Sequence, residues 1–193
     1  KSMNYFKEKE TFVQEEFDKA LTLFNEGRTI RDKYYYPSNY YYGVTQYFKG
    51  NYDEAISSFE QVATSEFYKD FIPYYITQIH FNNKDFEKVI GYGNHSISSP
   101  SVQNKREIRH LIGQAYFETG DYAASIPHLE YVEKNTEKLH PDDFFQLGMA
   151  YYSSERYEDA IPVFLEVRNQ PGVKGQYANY YLGESYLKTG DKT

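Results

Sequence analysis

A period of 34 to 36 residues constrains this chain more than any other feature. An aromatic residue, then Ala or a substitute at +3, then usually a bulky residue at +7, recurs five times. The instances are Phe17-Ala20-Phe24, Tyr52-Ala55-Phe59, Phe86-Val89-Gly93, Tyr122-Ser125-Leu129 and Tyr157-Ala160-Phe164, with leaders 35, 34, 36 and 35 residues apart. A second register runs ahead of the first as Tyr42-Gly43, Ile112-Gly113, Leu147-Gly148 and Leu182-Gly183, and Thr77 stands where the missing glycine belongs. Two phases locked together mark one structural unit per period, and such units bury their apolar faces by stacking on one another.

Each unit reads as two helices. In the fourth, Ile108, Leu111, Ile112, Ala115 and Tyr116 fall at helical spacing, and Gly120 ends the helix because it accepts left-handed dihedrals. Asp121 then caps a helix carrying Tyr122, Ile126, Leu129 and Val132. In the second unit Gly50 is the stop, Asn51 the cap, and Glu54 completes a capping-box pattern. The glycines at 43, 113, 148 and 183 lie mid-helix, where each costs about 1 kcal/mol against Ala. That cost is expected where a neighbouring helix approaches the backbone, with the Ala or Ser at +12 facing the glycine.

The segments Leu147-Gly148-x-x-Tyr151 with Ala160-x-x-x-Phe164, and Leu182-Gly183-x-x-Tyr186, resemble the tetratricopeptide repeat (TPR), a helix–turn–helix family. The resemblance covers nearly the whole chain. It implies an all-α fold, a right-handed superhelix of stacked antiparallel helix pairs. Departures are visible: the family's early Trp is replaced by Asn39, Pro73, Arg109, Phe144 and Asn179, its late Pro is displaced or missing, and the third unit has Thr77, Val89 and Gly93 at signature positions. Residues 1–36 read as an atypical first repeat or capping helix. Residues 37–193 read as the array, with units at about 37–69, 70–105, 106–140 and 141–175 and a truncated one at 176–193.

The expected helices are 5–26, 38–49, 52–65, 71–82, 86–97, 107–119, 122–135, 142–153, 157–169 and 176–188. The first carries Phe6, Val13, Phe17, Ala20, Leu21 and Phe24 on one stripe and stops at Gly27. Pro37 suits a helix start. Pro127 and Pro162 fall at equivalent places about one turn into a second helix. Ser98-Ser99-Pro100-Ser101 and Pro171-Gly172 read as loops.

Composition narrows the function. With 21 basic and 28 acidic residues the net charge is −7, and no basic patch emerges for nucleic acid or anionic membrane. No apolar run is long enough to span a bilayer, and no signal-peptide pattern opens the chain. Cysteine is absent, which excludes disulfides, thiolate metal sites and a cysteine nucleophile. Aromatics make up 19% of the residues, 23 Tyr and 14 Phe, too many for a disordered chain.

The five histidines, His80, His95, His110, His128 and His140, never fall at i, i+4, so no metal site is expected. Gly91-x-Gly93 lies within a helix and lacks the third glycine of a phosphate loop. Acidic pairs such as Glu15-Glu16, Asp53-Glu54 and Asp142-Asp143 complement helix dipoles from solvated positions. No hydrolase elbow is present. The reading is therefore no enzyme, no catalytic residue, no cofactor and no metal.

By resemblance, the first helices line a concave surface that holds ligands. Three residues before each glycine site stand Tyr40, Tyr74, His110, Phe145 and Tyr180; four after it stand Tyr47, Phe81, Phe117, Tyr152 and Leu187. Between them lie Val44, Gln78, Gln114, Met149 and Glu184. The Lys, Asn and Arg with which one subclass of the family grips a chain terminus are absent there. An aromatic ladder suits an extended peptide or a partner helix, because flat rigid rings lose little entropy on binding. Tyr is also common at these positions as packing between repeats. Runs such as Tyr34-Tyr35-Tyr36 and Tyr40-Tyr41-Tyr42 cannot all face inward, so some rings must be exposed.

The leading expectation is a non-catalytic scaffold for protein or peptide partners, with neither nucleic acid nor membrane insertion. The alternative is a self-assembling or structural module of a larger repeat complex, including a homodimer through an unpaired C-terminal helix. Composition also resembles long envelope-associated arrays of Bacteroidota, which leans towards a periplasmic location while leaving the compartment open.

Overall fold

A computed structural model describes residues 2–190, with side chains from residue 13 onward. Among these residues the chain forms ten helices and no strand. They are α1 (Ser2–Gly27), α2 (Tyr35–Lys49), α3 (Tyr52–Glu60), α4 (Ile72–Asn82), α5 (Phe86–Ile97), α6 (Lys105–Glu118), α7 (Tyr122–Lys134), α8 (Pro141–Ser153), α9 (Tyr157–Val167) and α10 (Val173–Thr189). All ten expected helices are present; α3 is shorter than expected, and α10 starts three residues earlier. The chain divides into two units, Lys1–Ile79 with Ser101–Gln103, and His80–Pro100 with Asn104–Thr193.

In the first unit α2 packs between α1 and α3. Ala55, Phe59, Val62, Ile72 and Ile79 form the buried core. On α1, Phe17, Ala20, Leu21 and Phe24 are half-buried as the stripe requires, whereas Val13 is exposed; Phe6 lies outside the described side chains. Gly27 is not a left-handed stop. It is needed because the Ser38 hydroxyl comes so close that a β-carbon would overlap it. A Lys49–Asp18 ion pair also joins α2 to α1. The segment 101–103 is held by the Gln103 amide donating to the Asp70 carbonyl and by Ser101 Oγ donating to Asp70 Oδ1, both at 2.9 Å.

Asn39, in place of the family Trp, is only 1% exposed. Its Nδ2 donates to the carbonyls of Arg28 (3.1 Å) and Tyr35 (2.9 Å), tying the end of α1 to the first turn of α2. The second unit repeats the device. Asn179 Nδ2 donates to the Arg168 and Gly175 carbonyls, each at 2.9 Å, tying the end of α9 to α10.

The second unit packs α5 on α6, α6 on α7, α7 on α8, α8 on α9 and α9 on α10. One core gathers Val89, Leu111 and Ala115; the other runs from Ile126 and Leu129 through Leu147, Val163, Phe164 and Val167 to Leu182. Tyr151 Oη donates to Glu130 Oε1 at 2.7 Å while the Arg156 guanidinium sits 4.7 Å over the ring. Pro127 and Pro162 lie inside α7 and α9 as expected.

One turn recurs in both units. The amides of Asn51, Asp85, Asp121 and Arg156 donate to the carbonyls of Gln46, His80, Tyr116 and Tyr151, every time at 2.9 Å. This closure satisfies the orphan carbonyls of a helix end and puts the preceding residue in the left-handed region. Gly50 and Gly120 occupy that place with φ near +80°, but Lys84 (φ 60°) and Glu155 (φ 59°) do so without a glycine's freedom. Asp121 caps as expected, accepting from the Ala124 amide at 3.1 Å. Asn51 does not: its Nδ2 donates to Gln46 Oε1 at 2.8 Å, so the expected capping box is not formed at Asn51.

The mid-helix glycines are sites of close approach, with a correction to the facing residue. A β-carbon on Gly43 would lie 2.7 Å from the Phe59 ring, on Gly113 2.8 Å from Leu129, and on Gly148 2.8 Å from Phe164. The filler stands at +16, not at the small residue at +12. The long side chain reaches across, and the small residue clears its path. Gly183 meets nothing within 4 Å.

Candidate protein-docking faces

The residues expected in a groove fall into two physical sets. Those four places after the glycine site serve partly as clasps within a repeat. All but the exposed Leu187 pack on the leading aromatic of the following helix: Tyr47 on Tyr52 (centroids 6.1 Å), Phe81 on Phe86 (5.7 Å), Phe117 on Tyr122 (5.1 Å) and Tyr152 on Tyr157 (5.4 Å). Their outer edges remain half-exposed. Burial, then neighbouring tyrosines, pushes the Tyr47 hydroxyl up to about 12.

Of the residues three places before it, Tyr40 is the most enclosed. Its ring stacks on Tyr68 at 4.7 Å and lies 6.4 Å from Phe59, Phe71 and Tyr75. Burial, reinforced by Tyr75, keeps its hydroxyl protonated well above the usual range. Tyr74 is half-buried with its ring 5.4 Å from Tyr75. His110 Nε2 lies 2.8 Å from Asp143 Oδ1, linking α6 to α8. Phe145 leans on Phe164 at 6.2 Å, and Tyr180 stands 60% exposed. Val44, Gln78, Gln114, Met149 and Glu184 are all half-buried. None of the fourteen expected groove residues, or Leu187, is fully buried.

In the first unit the open surface lies beside the expected ladder. Tyr41, 47% exposed, stacks on Phe24 at 5.8 Å, and Phe67, 68% exposed, packs on Tyr68 and Phe71 at 4.9 and 5.7 Å. Phe48 and Tyr34 are exposed too. The tyrosine runs therefore split as helical geometry requires: Tyr35 is buried while Tyr34 and Tyr41 face solvent. Phe67 sits in the connection between α3 and α4, where no periodicity could have flagged it.

Among the described residues no group of three or more His, Asp or Glu could hold a metal ion, and no helix is long and apolar enough to cross a membrane. His80 packs edge-on to Tyr92 at 6.1 Å, with burial and then Lys88 lowering its pKa. A pocket of about 210 Å³ beside His110 in the second unit has charged walls that largely pair with each other, Arg106 with Glu107 at 2.6 Å and His110 with Asp143.

Family models described as tetratricopeptide repeat match residues 110–174 and 145–193, and a second such model matches 38–65, together more than half of the chain. The chain is a tetratricopeptide-repeat protein. Solved TPR-type structures share its fold. MamA AMB-1 aligns with TM-score 0.64 at 18% identity, over 83% of this chain and 85% of that one. MamA MSR-1 aligns with TM-score 0.58 at 20% identity, over 81% and 86%. A kinesin light chain from Podospora anserina with nearly identical TPR-like repeats gives 0.52 at 14%, over 81% and 87%. No curated protein matches. As a TPR array the chain belongs with protein-interaction and scaffold modules, which are generally not catalytic.

Proposed function

We propose that this TPR protein is a non-catalytic scaffold that binds an extended peptide or a partner helix on the aromatic faces of its first helices. The observation that carries the reading is the partial exposure of every ladder position, with Tyr180 the most open ring in the second unit, joined in the first unit by Tyr41 and Phe67. Rigid aromatic rings half out of water give contact area at little entropic cost, and contiguous exposed rings on a soluble surface mark interaction sites. The groove is the ladder from Tyr40 to Glu184, read in the two units separately, with the repeats divided as the sequence divides them.

Contacts of this kind are mostly apolar. Affinity is expected in the micromolar range and nearly unchanged between about 0.05 and about 0.5 M salt. The test is selection from a random-peptide display library on this chain, repeated on a Tyr41→Ser, Phe67→Ser, Tyr180→Ser variant. These three rings are exposed, so their loss leaves the core intact; Tyr40 is unsuitable because five neighbouring rings rest on it. Enrichment on the parent that vanishes on the variant is expected. Equal enrichment on both, or steep salt dependence, contradicts the proposal.

A further inference from the structure

The cavity of about 210 Å³ beside His110 lies within the second unit, between α6, the end of α7 and the connection into α8. It is smaller than the roughly 300–1,000 Å³ of a drug-sized site, so it suits one side chain or a small acid. Part of its lining is apolar, from the buried Val132 and Leu139, and the rest is charged or polar.

Two of the basic side chains in that lining are already engaged. Arg106 Nε and Nη2 both donate to Glu107 Oε1, at 3.2 and 2.6 Å, and Nη1 reaches Thr136 Oγ1 at 3.4 Å. His110 Nε2 lies 2.8 Å from Asp143 Oδ1. Each carboxylate of the lining therefore already faces a nitrogen partner.

The other two are uncommitted. Among the described residues Lys138 has no carboxylate partner, whereas Lys88, Lys134 and Lys174 of the same unit each have one. His140 Nδ1 accepts from the Asp142 amide at 3.2 Å as the cap of α8, so the neutral ring carries its proton on Nε2. That N–H has no acceptor among the described residues, and the Asp142 carboxylate, 3.8 Å from Nδ1, pairs with Lys174.

A carboxylate on a short aliphatic stem matches this lining. Its oxygens can accept from the Lys138 ammonium and the His140 N–H, and a charged acceptor makes the stronger bond. Its methylenes can rest on Val132 and Leu139, to which an inorganic anion offers nothing. We infer that the cavity is a binding pocket for one such carboxylate, carried by a free short-chain acid or by an acidic side chain of a polypeptide. The pocket does not depend on the aromatic faces, because a single-residue probe binds or fails whether or not a peptide lies along the rings.

The test is NMR titration of the full chain at neutral pH and constant ionic strength, read at the His110 and His140 ring signals and the Leu139 methyls. The probes are butyrate, N-acetyl-glutamate amide, and the glutamine and lysine forms of the same capped residue. Both acids are expected to give saturable shifts below about 50 mM, and capped glutamine to bind about tenfold more weakly for want of the charge. Lys138→Met is expected to weaken the acids about tenfold and Lys138→Arg to retain them. The Lys138 side chain is exposed, so neither change touches the core. His140→Ser keeps a helix cap while removing the ring N–H, and should weaken the acids too. Tighter binding of butyrate assigns the pocket to a free acid, and tighter binding of capped glutamate to an acidic side chain; either upholds the pocket. Capped glutamine or lysine binding as tightly as the acids overturns the inference. So do acid affinities unchanged in Lys138→Met, or no saturable shift with either acid.

Discussion

The Phe59 ring lies stacked on Tyr75, centroids 5.4 Å apart and planes at 23°, and Phe164 repeats the relationship on Tyr181 at 6.0 Å and 20°. Around each stack the rest recurs: Gly43 and Gly148 abut the phenylalanine, and Tyr47 and Tyr152 meet the tyrosine edge-on at 5.2 and 4.8 Å. One phenylalanine thus fills the gap between the two helices of a repeat and also reaches the first helix of the next.

This geometry separates glycines of the same chain. Gly43→Ala and Gly148→Ala push a methyl into a fully buried ring, and the overpacking outweighs the helix propensity gained, for a net loss of about 1–2 kcal/mol. Gly91→Ala and Gly183→Ala meet nothing within 4 Å and should stabilise by about 1 kcal/mol. Urea titrations of the four variants check the opposite signs.

Asn39→Ala removes a buried amide and its bonds to the Tyr35 and Arg28 carbonyls, the first of them closed to water, which should cost about 1–3 kcal/mol. The equivalent Asn179 is exposed, so water replaces its bonds and Asn179→Ala should cost less than about 1 kcal/mol. Thermal unfolding of the two variants tests the ordering.

Lys84 and Glu155 hold the left-handed dihedrals that Gly50 and Gly120 hold in the other turns. Lys84→Gly and Glu155→Gly should each relieve that strain, a gain of about 0.5–1 kcal/mol after the entropy of glycine is counted. Gly120→Ala should do the reverse. Denaturation midpoints read both.

His128 is buried with Nδ1 lacking a partner, and burial, then the Arg109 charge, pushes its pKa down to about 4. The unfolded chain, titrating near 6.5, takes up the proton first as pH falls. The folded state therefore loses stability between about pH 6.5 and about pH 4, by about 3 kcal/mol in all, and nothing from this group above that window. His128→Leu should flatten the stability profile over that interval. An unchanged profile would remove His128 as its cause.

Much of this was legible because the two registers report directly on geometry. A glycine locked to a bulky residue sixteen places on fixes which helices pair, and Gly50 and Gly120 announce their turns. Spacing points to the small residue at +12 and not to the contact at +16, because it locates a helix face and not the reach of a side chain such as Phe59. In sequence Asn39 and Asn179 stand only as replacements of a family Trp; their hydrogen bonds to carbonyls eleven residues back depend on the packed ends of α1 and α9. At the candidate site the register marks the ladder positions, all of which are at least partly exposed, but it does not single out Tyr41 or Phe67, whose exposure beside Tyr40 follows from the packing of the α3–α4 connection.

The central claim is that the exposed rings of the first helices receive a polypeptide. Its most direct measurement is amide and aromatic NMR shift mapping during titration with a peptide selected on this chain. The account predicts saturable shifts centred on Tyr41, Phe67, Tyr180 and the half-buried rings beside them. Shifts confined to the outward residues of the second helices, such as Glu87, Glu158 and Leu165, would contradict it.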